Sequence, residues 1–410
     1  MKNVTQLENI ANKVVLVRVD FNVPQKDGVI SDNNRIVAAL PTIKELLGKG
    51  AKVVLMSHLG KVKWKDIKKG KATLEDIEKQ KAKNNMAPVA DELAKLLPGV
   101  KVSFSAATRG AELLDKVAAL KAGEVLLVQN TRYEPGEEAN DAELAKEWAS
   151  FADAFVMDAF GSAHRAHAST VGVPELLKKE GKQTAVGFLV EKEVLNLKKV
   201  VEVPSDRHPY VAILGGFKVS DKIKVIESLL SKCDKIIIGG AMSYTFKVAL
   251  GGKVGKSPFE ADQIEYAKKM YETGKIVLPI DSVVANDFEN PTDVRIVPSD
   301  NIPDGFEGMD IGPKTRELYV KEIASAKTVF WNGPMGVFER DEFAAGTAAV
   351  CEACANLKDA FTVIGGGDSA SAAKKLGYKE KFSHVSTGGG ASLEMIENNG
   401  HLPGIDVIGD

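Results

Sequence analysis

Short runs of apolar, often β-branched residues recur along the chain, and stretches with helical periodicity separate them. The runs cover residues 14–19, 53–56, 125–128, 154–157, 211–214, 236–238, 276–278, 329–331 and 361–364. Runs that are apolar throughout predict strands buried on both faces, and helical spacers predict parallel crossover connections. We therefore predict an α/β protein with parallel sheets. Ligands of such sheets bind at the carboxyl ends of the strands, so the residues that follow the runs are candidates for function.

These following residues differ between the two halves of the chain. In the first half they include arginine and histidine, in the motifs RVDFN (18–22), SHLG (57–60), NTR (130–132) and DAFGSAHR (158–165). In the second half they are glycine clusters, at residues 215–216, 239–240, 365–367 and 388–390. Charged side chains suit a small polyanion, whereas glycines let the backbone approach phosphate groups. Two anions brought face to face indicate phosphoryl transfer.

The length of 410 residues exceeds what one hydrophobic core usually supports, which predicts two domains. We place the boundary between residues 187 and 209. Residues 191–201 have helical periodicity, and residues 203–209 (VPSDRHP) are rich in helix breakers. We interpret the helix as the connection between two lobes.

Composition argues against several classes of protein. The 54 basic and 56 acidic residues give a net charge of −2, so no overall basic field favours nucleic acid. No apolar stretch reaches the roughly 20 residues of a membrane span, and the first residues lack the apolar core of a signal peptide. We expect a cytoplasmic protein.

The three cysteines are too few for a disulfide framework. Cys351 and Cys354 have CxxC spacing, but they fall within an alanine-rich stretch of helical periodicity, residues 344–357. Buried or partly buried thiols on a helix are therefore favoured over redox or metal chemistry.

The motif GGFKVSDK (215–222) precedes a predicted amphipathic helix at 223–232 and carries Lys218 and Lys222 near its start. Cations at that position oppose the helix dipole. The placement is understandable if a polyanion binds the same backbone amides. A capped turn with solvated lysines is the alternative.

The motif GGGDS (365–369) also joins a strand to a helix that Asp368 or Ser369 could cap. Three glycines are more than a cap requires, and Asp368 is well placed to hold a magnesium ion bound to nucleotide phosphates. With Ala370 the motif loosely fits the GxGxxA pattern of NAD-dependent dehydrogenases. No acidic residue ends the next strand-like segment, 384–387, so NAD binding is disfavoured.

Two further segments carry weaker signals. The sequence GGKVGKS (251–257) has three residues between its glycines where a P-loop needs four, so we predict a loop, followed by a helix that opens at Pro258. The lysine-rich stretch 61–83 is interpreted as a solvated surface excursion rather than a binding arm.

Glu339, which follows the strand at 329–331, could accept hydrogen bonds from ribose hydroxyls.

In the first half, the candidates for a bidentate grip on carboxylate or phosphate are Arg35, Arg132 and Arg165. Asp20 and Asn22 would share a face if their strand continued, and could then contact hydroxyl groups. His164 and His167 lack the glutamate and the spacing of a zinc HExxH site, so metal binding there is disfavoured.

Taken together, these motifs resemble those of the phosphoglycerate kinases. They occur in the family's order between residues 18 and 394: RVDFNVP (18–24), SHLG (57–60), DAFGSAHRAH (158–167), GGFKVSDK (215–222), WNGP (331–334) and GGGD (365–368). The resemblance covers nearly the whole chain. It implies two Rossmann-like lobes, each a parallel β-sheet flanked by helices, joined by an interdomain helix and a hinge.

The resemblance also implies a function for each lobe. Residues 1–187 with 396–410 would form the lobe that binds 3-phosphoglycerate, residues 188–208 the interdomain helix and linker, and residues 209–395 the nucleotide-binding lobe. The enzyme would reversibly transfer a phosphoryl group from 1,3-bisphosphoglycerate to MgADP, with Mg²⁺ as part of the nucleotide substrate. A monomer is implied, with no nucleic acid or membrane partner. A catalytically silent nucleotide-binding relative of the same fold is the alternative, and it would be expected to lack Arg35, Lys218 or Asp368, which are all present.

By motif match, the resemblance assigns ten residues to the glycerate: Asp20, Phe21, Asn22, Arg35, His58, Leu59, Gly60, Lys61, Arg132 and Arg165. It assigns ten to the nucleotide: Gly216, Lys218, Lys222, Gly240, Asn332, Glu339, Gly366, Gly367, Asp368 and Ser369. The residues expected to act in catalysis are Arg35, Lys218, Gly366 and Gly389, and Asp368 would hold the magnesium. No general base is needed, because the ADP phosphate acceptor is already ionised. Three positions depart from the family pattern: Lys61, Gln129 and Phe217.

Overall fold

The apolar runs of the sequence form strands of two parallel sheets in a computed structural model that describes residues 1–409. Several central strands are buried at every position, as in Val125–Val128, Tyr210–Leu214 and Thr328–Asn332. Burial on both faces explains why these segments are apolar throughout rather than alternating. Asp410, which the resemblance assigns to the first lobe, lies outside the described residues.

The chain divides into two compact units. The first unit contains residues 1–194 and the carboxyl-terminal segment from His401, and the second contains Leu195–Gly400. The division falls within one long helix, Phe188–Val201. The carboxyl-terminal segment packs within the first unit, where the Gly404 amide donates a 2.8 Å hydrogen bond to the carbonyl of Ala163.

The first unit is built on a six-stranded sheet whose pairings are all parallel, in the order β5-β6-β4-β1-β7-β8. A small antiparallel hairpin, β2-β3, lies outside it. The strands are β1 (Val14–Val19), β2 (Gln25–Lys26), β3 (Val29–Ile30), β4 (Lys52–Met56), β5 (Val102–Ser105), β6 (Val125–Val128), β7 (Ala154–Asp158) and β8 (Gln183–Val186). The helices are α1 (Asn34–Gly48), α2 (Trp64–Lys68), α3 (Leu74–Lys83), α4 (Ala87–Leu96), α5 (Ala111–Ala118), α6 (Ala142–Ser150), α7 (Val173–Lys179), the boundary helix α8 (Phe188–Val201) and, at the carboxyl end, α16 (Pro403–Asp406).

The second unit has its own six-stranded parallel sheet, in the order β12-β10-β9-β17-β18-β19. It also contains an antiparallel sheet, β14-β13-β16, and a short parallel pair, β11-β15. The strands are β9 (Tyr210–Leu214), β10 (Lys235–Ile238), β11 (Lys253–Val254), β12 (Ile276–Val277), β13 (Asp281–Ala285), β14 (Val294–Pro298), β15 (Asn301–Ile302), β16 (Glu307–Ile311), β17 (Thr328–Asn332), β18 (Phe361–Ile364) and β19 (His384–Val385). The helices are α9 (Ile223–Leu230), α10 (Met242–Ala249), α11 (Ile264–Glu272), α12 (Pro313–Ala324), α13 (Ala345–Ala355), α14 (Gly367–Lys375) and α15 (Gly390–Glu397).

The predicted α/β class with parallel sheets is confirmed, and each of the nine apolar runs contains a strand. The pattern missed the edge strands β5 and β8, which are only partly buried or interrupted by polar residues. It also missed the antiparallel sheet, whose strand β14 is almost entirely exposed. A search for continuous apolar runs detects central strands and overlooks exposed ones.

Two local predictions were wrong. No helix opens at Pro258, since the next helical residues are Ala261–Gln263, in a 3-10 turn that leads into α11. The predicted loop at 251–257 contains β11, which pairs with β15 from a segment about 50 residues away. Both outcomes depend on distant residues that local pattern does not reveal.

The prediction of buried thiols on a helix is confirmed. Cys351 and Cys354 lie on α13, and these two and Cys233 are all buried and free. Burial raises the pKa of the Cys351 thiol to about 12, so it is not a thiolate at neutral pH.

Candidate active site

A cavity of about 520 Å³ in the first unit is lined mainly by basic side chains. Five residues that the resemblance assigns to the glycerate line it: Asn22, His58, Lys61, Arg132 and Arg165. We call it the cationic cavity. Its lining includes only two carboxylates, Asp66 and Glu138, so its formal charge is strongly positive.

Arg132 is held in this cavity by a polar scaffold. Its Nη1 donates to the carbonyl of Gly60 at 2.6 Å, and its Nε lies 4.0 Å from a Glu138 oxygen. The Asn130 side chain accepts from the amides of Leu59 and Arg132 and donates to the carbonyl of Leu59 at 2.7 Å. The Asn130 side chain thus connects the loop after β4 to the loop after β6.

Three histidines line the same cavity, and all are held neutral. Burial and neighbouring arginines, first Arg18, keep the pKa of His58 well below its usual value. Burial lowers the pKa of His164 to about 4 and also lowers that of His167. The positive charge of the cavity therefore comes from arginine and lysine alone.

Asp20 and Asn22 do not continue strand β1, which ends at Val19, so the condition for a shared strand face is not met. Asp20 instead forms an ion pair with Arg35, with 3.1 Å between Nη1 and Oδ1. Asn22 accepts from the amide of Gly60 at 2.8 Å and faces the cationic cavity. An ion pair and a hydrogen bond, rather than strand periodicity, therefore set the positions of these two side chains.

The remaining residues assigned to the glycerate do not line the cavity. Phe21 is completely buried, and its amide donates to Ser57 Oγ at 2.9 Å. Leu59 is also buried. Phe21 and Leu59 therefore support the cavity wall through packing and backbone contacts. The Arg35 side chain is 46% exposed, and its guanidinium group pairs with Asp20.

The lysine-rich segment, which was interpreted as a solvated surface excursion and of which only Lys61 was assigned to the glycerate, reaches the cationic cavity with several side chains. Besides Lys61, the side chains of Lys63, Lys65 and Lys69 line it. The segment is anchored there because the Trp64 indole N–H donates to the carbonyl of Arg132 at 3.0 Å. The ammonium of Lys81 lies 5.1 Å from the centre of the Trp64 ring. The high lysine content of the segment was the available signal in the sequence. Only the fold shows that these lysine side chains face the cavity.

A second cavity, of about 580 Å³, lies in the second unit and has mostly apolar walls. Four residues assigned to the nucleotide line it: Gly216, Gly240, Glu339 and Asp368. We call it the glycine cavity. Its apolar residues were not singled out from the sequence, and they include Tyr244, Phe288, Met309 and Val337. Phe217 also lines it and is 63% exposed.

Close backbone packing explains the glycines of this cavity. Gly240 has a φ of +69°, and a Cβ added there would lie 2.7 Å from the carbonyl oxygen of Gly216. A Cβ at Gly215 would collide with the carbonyl oxygen of Pro334. Side chains at these positions would push apart the loops that follow β9, β10 and β17.

Beside the cavity, Lys222 donates a hydrogen bond to Asn332, and Asn332 donates to the carbonyl of Gly365. Burial lowers the pKa of Lys222. A Cβ at Gly366 would lie 2.6 Å from the Asn332 side-chain nitrogen. These contacts bring together the segment after β9, the end of β17 and the loop after β18.

Helices α14 and α15 begin at Gly367 and Gly390, each with a glycine N-cap. Asp368 and Ser369 were available as caps for α14, but neither side chain caps it. Ser369 is buried, and its Oγ accepts from the Gly333 amide at 2.7 Å. Asp368 is exposed, as is Lys218. Both helix starts therefore keep amides that no side-chain cap occupies.

Among residues 1–409, no helix is long and apolar enough to cross a membrane. Within the same range, no group of three or more histidine, cysteine, aspartate or glutamate side chains is arranged to hold a metal ion.

The fold and the two cavities define a class of protein: a two-unit α/β protein with a cationic cavity in one unit and a glycine cavity in the other. Comparison with known proteins identifies the family within that class. Residues 4–399 match the family described as phosphoglycerate kinase.

Curated relatives and solved structures agree with this match. The chain is 54% identical to a phosphoglycerate kinase of Enterococcus faecalis, covering 98% of both chains, and 53% identical to one of Listeria innocua, covering 100% of this chain and 99% of the relative. It resembles the structure of phosphoglycerate kinase from Coxiella burnetii with a TM-score of 0.83 and 37% identity, over 98% of this chain and 97% of the other. The chain therefore belongs to the phosphoglycerate kinase family, whose members are phosphotransferases with a carboxyl group as acceptor.

Proposed function

We propose that the protein reversibly transfers the acyl phosphate of 1,3-bisphosphoglycerate to MgADP, giving 3-phosphoglycerate and MgATP. The observation that carries this proposal is the pair of cavities, one lined by basic side chains and one by glycines and apolar residues. A small triose phosphate is mostly charge, whereas a nucleotide offers an apolar base as well as phosphates. Family membership supports the same reaction.

In this proposal the cationic cavity binds the triose. Arg132 and Arg165 would hold its carboxylate and phosphate, and Asn22 and His58 would donate hydrogen bonds. Asp20 would accept from the substrate hydroxyl, and its ion pair with Arg35 would keep that guanidinium near the reacting end. Phe21, Leu59 and Gly60 would act through the wall of the cavity.

The glycine cavity would bind the nucleotide. Gly216 and Gly240 would let the backbone lie close to it, and Glu339 would accept hydrogen bonds from the ribose. Lys218 and Lys222 would contact the phosphates, with Asn332, Gly366, Gly367 and Ser369 shaping the adjoining loops. Magnesium would enter with the nucleotide, because the single exposed carboxylate of Asp368 suits an ion that keeps phosphate oxygens and water as its other ligands.

The chemistry would rest on charge stabilisation and alignment. A transferring phosphoryl group needs in-line positioning and support for the charge on its oxygens. Arg35 and Lys218 would supply charge, and amides at the starts of α14 and α15, at Gly366 and Gly389, would supply hydrogen-bond donors. No side chain has to remove a proton.

We further propose that the two units close on their ligands during the reaction, with α8 and the linker before Tyr210 as the hinge. Each ligand would bind a different unit, and in-line transfer requires both within reach of one phosphoryl group. Closure would also exclude water, which would otherwise hydrolyse the acyl phosphate. Small-angle scattering should report a smaller radius of gyration with both ligands than without them. Identical profiles would contradict the closure.

The reaction itself is tested by mixing the protein with 3-phosphoglycerate and MgATP, coupled to glyceraldehyde-3-phosphate dehydrogenase, and following NADH loss. Arg35→Ala should lower kcat on the order of 100-fold or more. Arg109→Ala is the matched control, because this arginine of the first unit is 43% exposed and forms ion pairs away from the cavity. No NADH loss from folded wild-type protein that binds MgADP would overturn the proposed reaction.

As a glycolytic enzyme the protein would act in the cytoplasm, where its substrates occur, and we propose that it acts as a monomer. Analytical ultracentrifugation at micromolar concentration should give the mass of one chain, 44.0 kDa.

A further inference from the structure

Behind the cationic cavity, a fully buried guanidinium contacts His58. Arg18 lies on β1 and is 1% exposed. Its Nη1 donates to the carbonyl of Val19 at 2.7 Å, its Nε donates to Ser169 Oγ at 2.8 Å, and its Nη2 lies 3.1 Å from His58 Nδ1. All three of its nitrogens therefore have defined partners.

The far end of this network is a buried carboxylate. Glu137 is completely buried, and it accepts from the Ser169 amide at 2.8 Å and from the Ser169 hydroxyl at 2.7 Å. A hydroxyl has one proton, and here that proton points to the carboxylate. The Ser169 oxygen is consequently free to accept from Arg18, so the direction of each hydrogen bond in the chain is determined.

The direction of the last hydrogen bond fixes the state of the histidine. An arginine can donate hydrogen bonds but cannot accept them, so His58 Nδ1 must be the acceptor. Burial and the charges of Arg18, Arg132 and Arg35 hold the pKa of His58 well below its usual value, so the ring is neutral. The single ring proton must then be on Nε2.

We propose that Glu137, acting through Ser169 and Arg18, is a positioning residue that fixes His58 as its Nε2–H tautomer, a neutral donor to an oxyanion of the triose substrate. The proposal rests on the assignment of the cationic cavity to that substrate. Arginine and lysine supply the charge that attracts the triose, and His58 supplies one donor of fixed direction. With the opposite tautomer, the ring would present a lone pair to an anion and repel it.

A purely structural role is the competing explanation, in which Glu137 only compensates the buried charge of Arg18. The two explanations differ in what they predict for the ring of His58. Under the structural role, loss of the Ser169 hydroxyl would lower stability and leave the tautomer unchanged. Under our proposal, the loss lets Arg18 move and the tautomer equilibrium relaxes.

The decisive measurement is ¹⁵N NMR of the full-length, ligand-free protein labelled at histidine. The chain has six histidines, and the spectrum of His58→Asn identifies the signals of His58. At neutral pH the wild type should show a protonated Nε2 and an unprotonated Nδ1. Ser169→Ala should give a mixture of tautomers, and Ser169→Thr, which keeps a hydroxyl, should restore the wild-type pattern. Glu137→Gln should behave like Ser169→Ala; if it does not fold, the Ser169 variants decide.

Kinetics then test the link to the substrate. Ser169→Ala should raise the KM for 3-phosphoglycerate about tenfold while kcat changes less than about threefold, as expected for one misdirected hydrogen bond. Thr184→Ala is the control, because it removes a buried hydroxyl of the same unit that donates to the carbonyl of Ile408. It should change neither the tautomer nor KM.

Several outcomes would overturn the proposal. A protonated Nδ1 in the wild type, or an unchanged tautomer in Ser169→Ala, would reject the positioning role. A changed tautomer with an unchanged KM would reject the contact with substrate. A wild-type protein that has the Nε2–H tautomer but no kinase activity would overturn the proposed function, while the tautomer assignment would stand.

Discussion

The two cavities are of similar volume, about 520 and 580 Å³, but they are built in opposite ways. The cationic cavity presents long charged side chains, whereas the glycine cavity presents backbone and apolar walls. The difference fits the chemistry of the two proposed ligands. A small polyanion offers little surface to pack against, so charge must hold it, and a nucleotide offers enough surface for close packing.

The supports behind the cavities differ in the same way. In the first unit a buried polar network from Glu137 to Arg18, together with Asn130, holds the functional side chains. In the second unit the supports are backbone contacts so close that a methyl group at Gly240 or Gly215 would not fit. We therefore expect changes in the first unit to act through charge and hydrogen bonds, and changes in the second to act through backbone geometry.

The largest expected effect separates the two ligands. Arg132→Ala should raise the KM for 3-phosphoglycerate on the order of 100-fold, about 3 kcal/mol, because it removes a partly buried cation that faces the cavity. Steady-state kinetics and calorimetric titration of MgADP measure the two ligands separately. The Kd of MgADP should stay within about twofold. A large change in MgADP affinity would break the comparison, because it would show that this charge also serves the nucleotide.

The next effect tests backbone geometry in the second unit. Gly240→Ala should weaken MgADP binding about 30-fold, because the new Cβ would displace Gly216, which lines the cavity. Gly274→Ala is the matched control: its φ of +78° is equally left-handed, but a Cβ there meets nothing within 4 Å. The control should cost about 1–2 kcal/mol of stability and leave the Kd unchanged. If both variants lost the same affinity for MgADP, the cause would be backbone strain at a left-handed φ rather than crowding by the new Cβ.

The units also share a feature, and it gives a prediction about pH. Burial raises the pKa of Asp158 in the first unit and of Asp310 in the second to about 7. The unfolded value is near 4, so the folded protein binds more protons between these values, and each acid contributes stability that is lost as pH rises towards 7. We compare the free energy of unfolding of Asp158→Asn and of Asp310→Asn with that of the wild type by urea denaturation. The difference, variant minus wild type, should be on the order of 2 kcal/mol larger at pH 8 than at pH 5 for each variant. A stability difference that is the same at both pH values would contradict the assignment.

The smallest effect concerns the lysines at the rim of the cationic cavity. Within residues 1–409, Lys65 and Lys69 form no ion pair, and both line the cavity. Replacing both with alanine should lower kcat/KM for 3-phosphoglycerate about threefold at low ionic strength, and the difference should shrink with added salt. Lys79→Ala is the control, because that lysine pairs with Glu75 at 2.9 Å and does not line the cavity. A salt-independent difference would mean that the two lysines contact the substrate directly.

Much of the fold could be predicted from the sequence, because each central strand is a continuous apolar run. The antiparallel sheet of the second unit could not, since β14 has exposed residues at almost every position. Of the glycerate residues, Asn22 and His58 were predicted from motifs and line the cavity, whereas Phe21 and Leu59, their neighbours in the same two motifs, are buried. A motif shows which residues occur together in the chain, but not which side chains face the ligand.

The sequence by itself determined the α/β class and the contrast between basic and glycine-rich motifs, because these depend on periodicity and on neighbouring residues. Only the tertiary structure decided that Lys65 faces the cationic cavity, that Asp158 is buried and that His58 meets Arg18. These properties depend on distances between residues far apart in the chain: Arg18 contacts Ser169, 151 positions away, and His58, 40 positions away. Burial and hydrogen-bond direction arise when such residues are brought together, and they set the protonation state of each group.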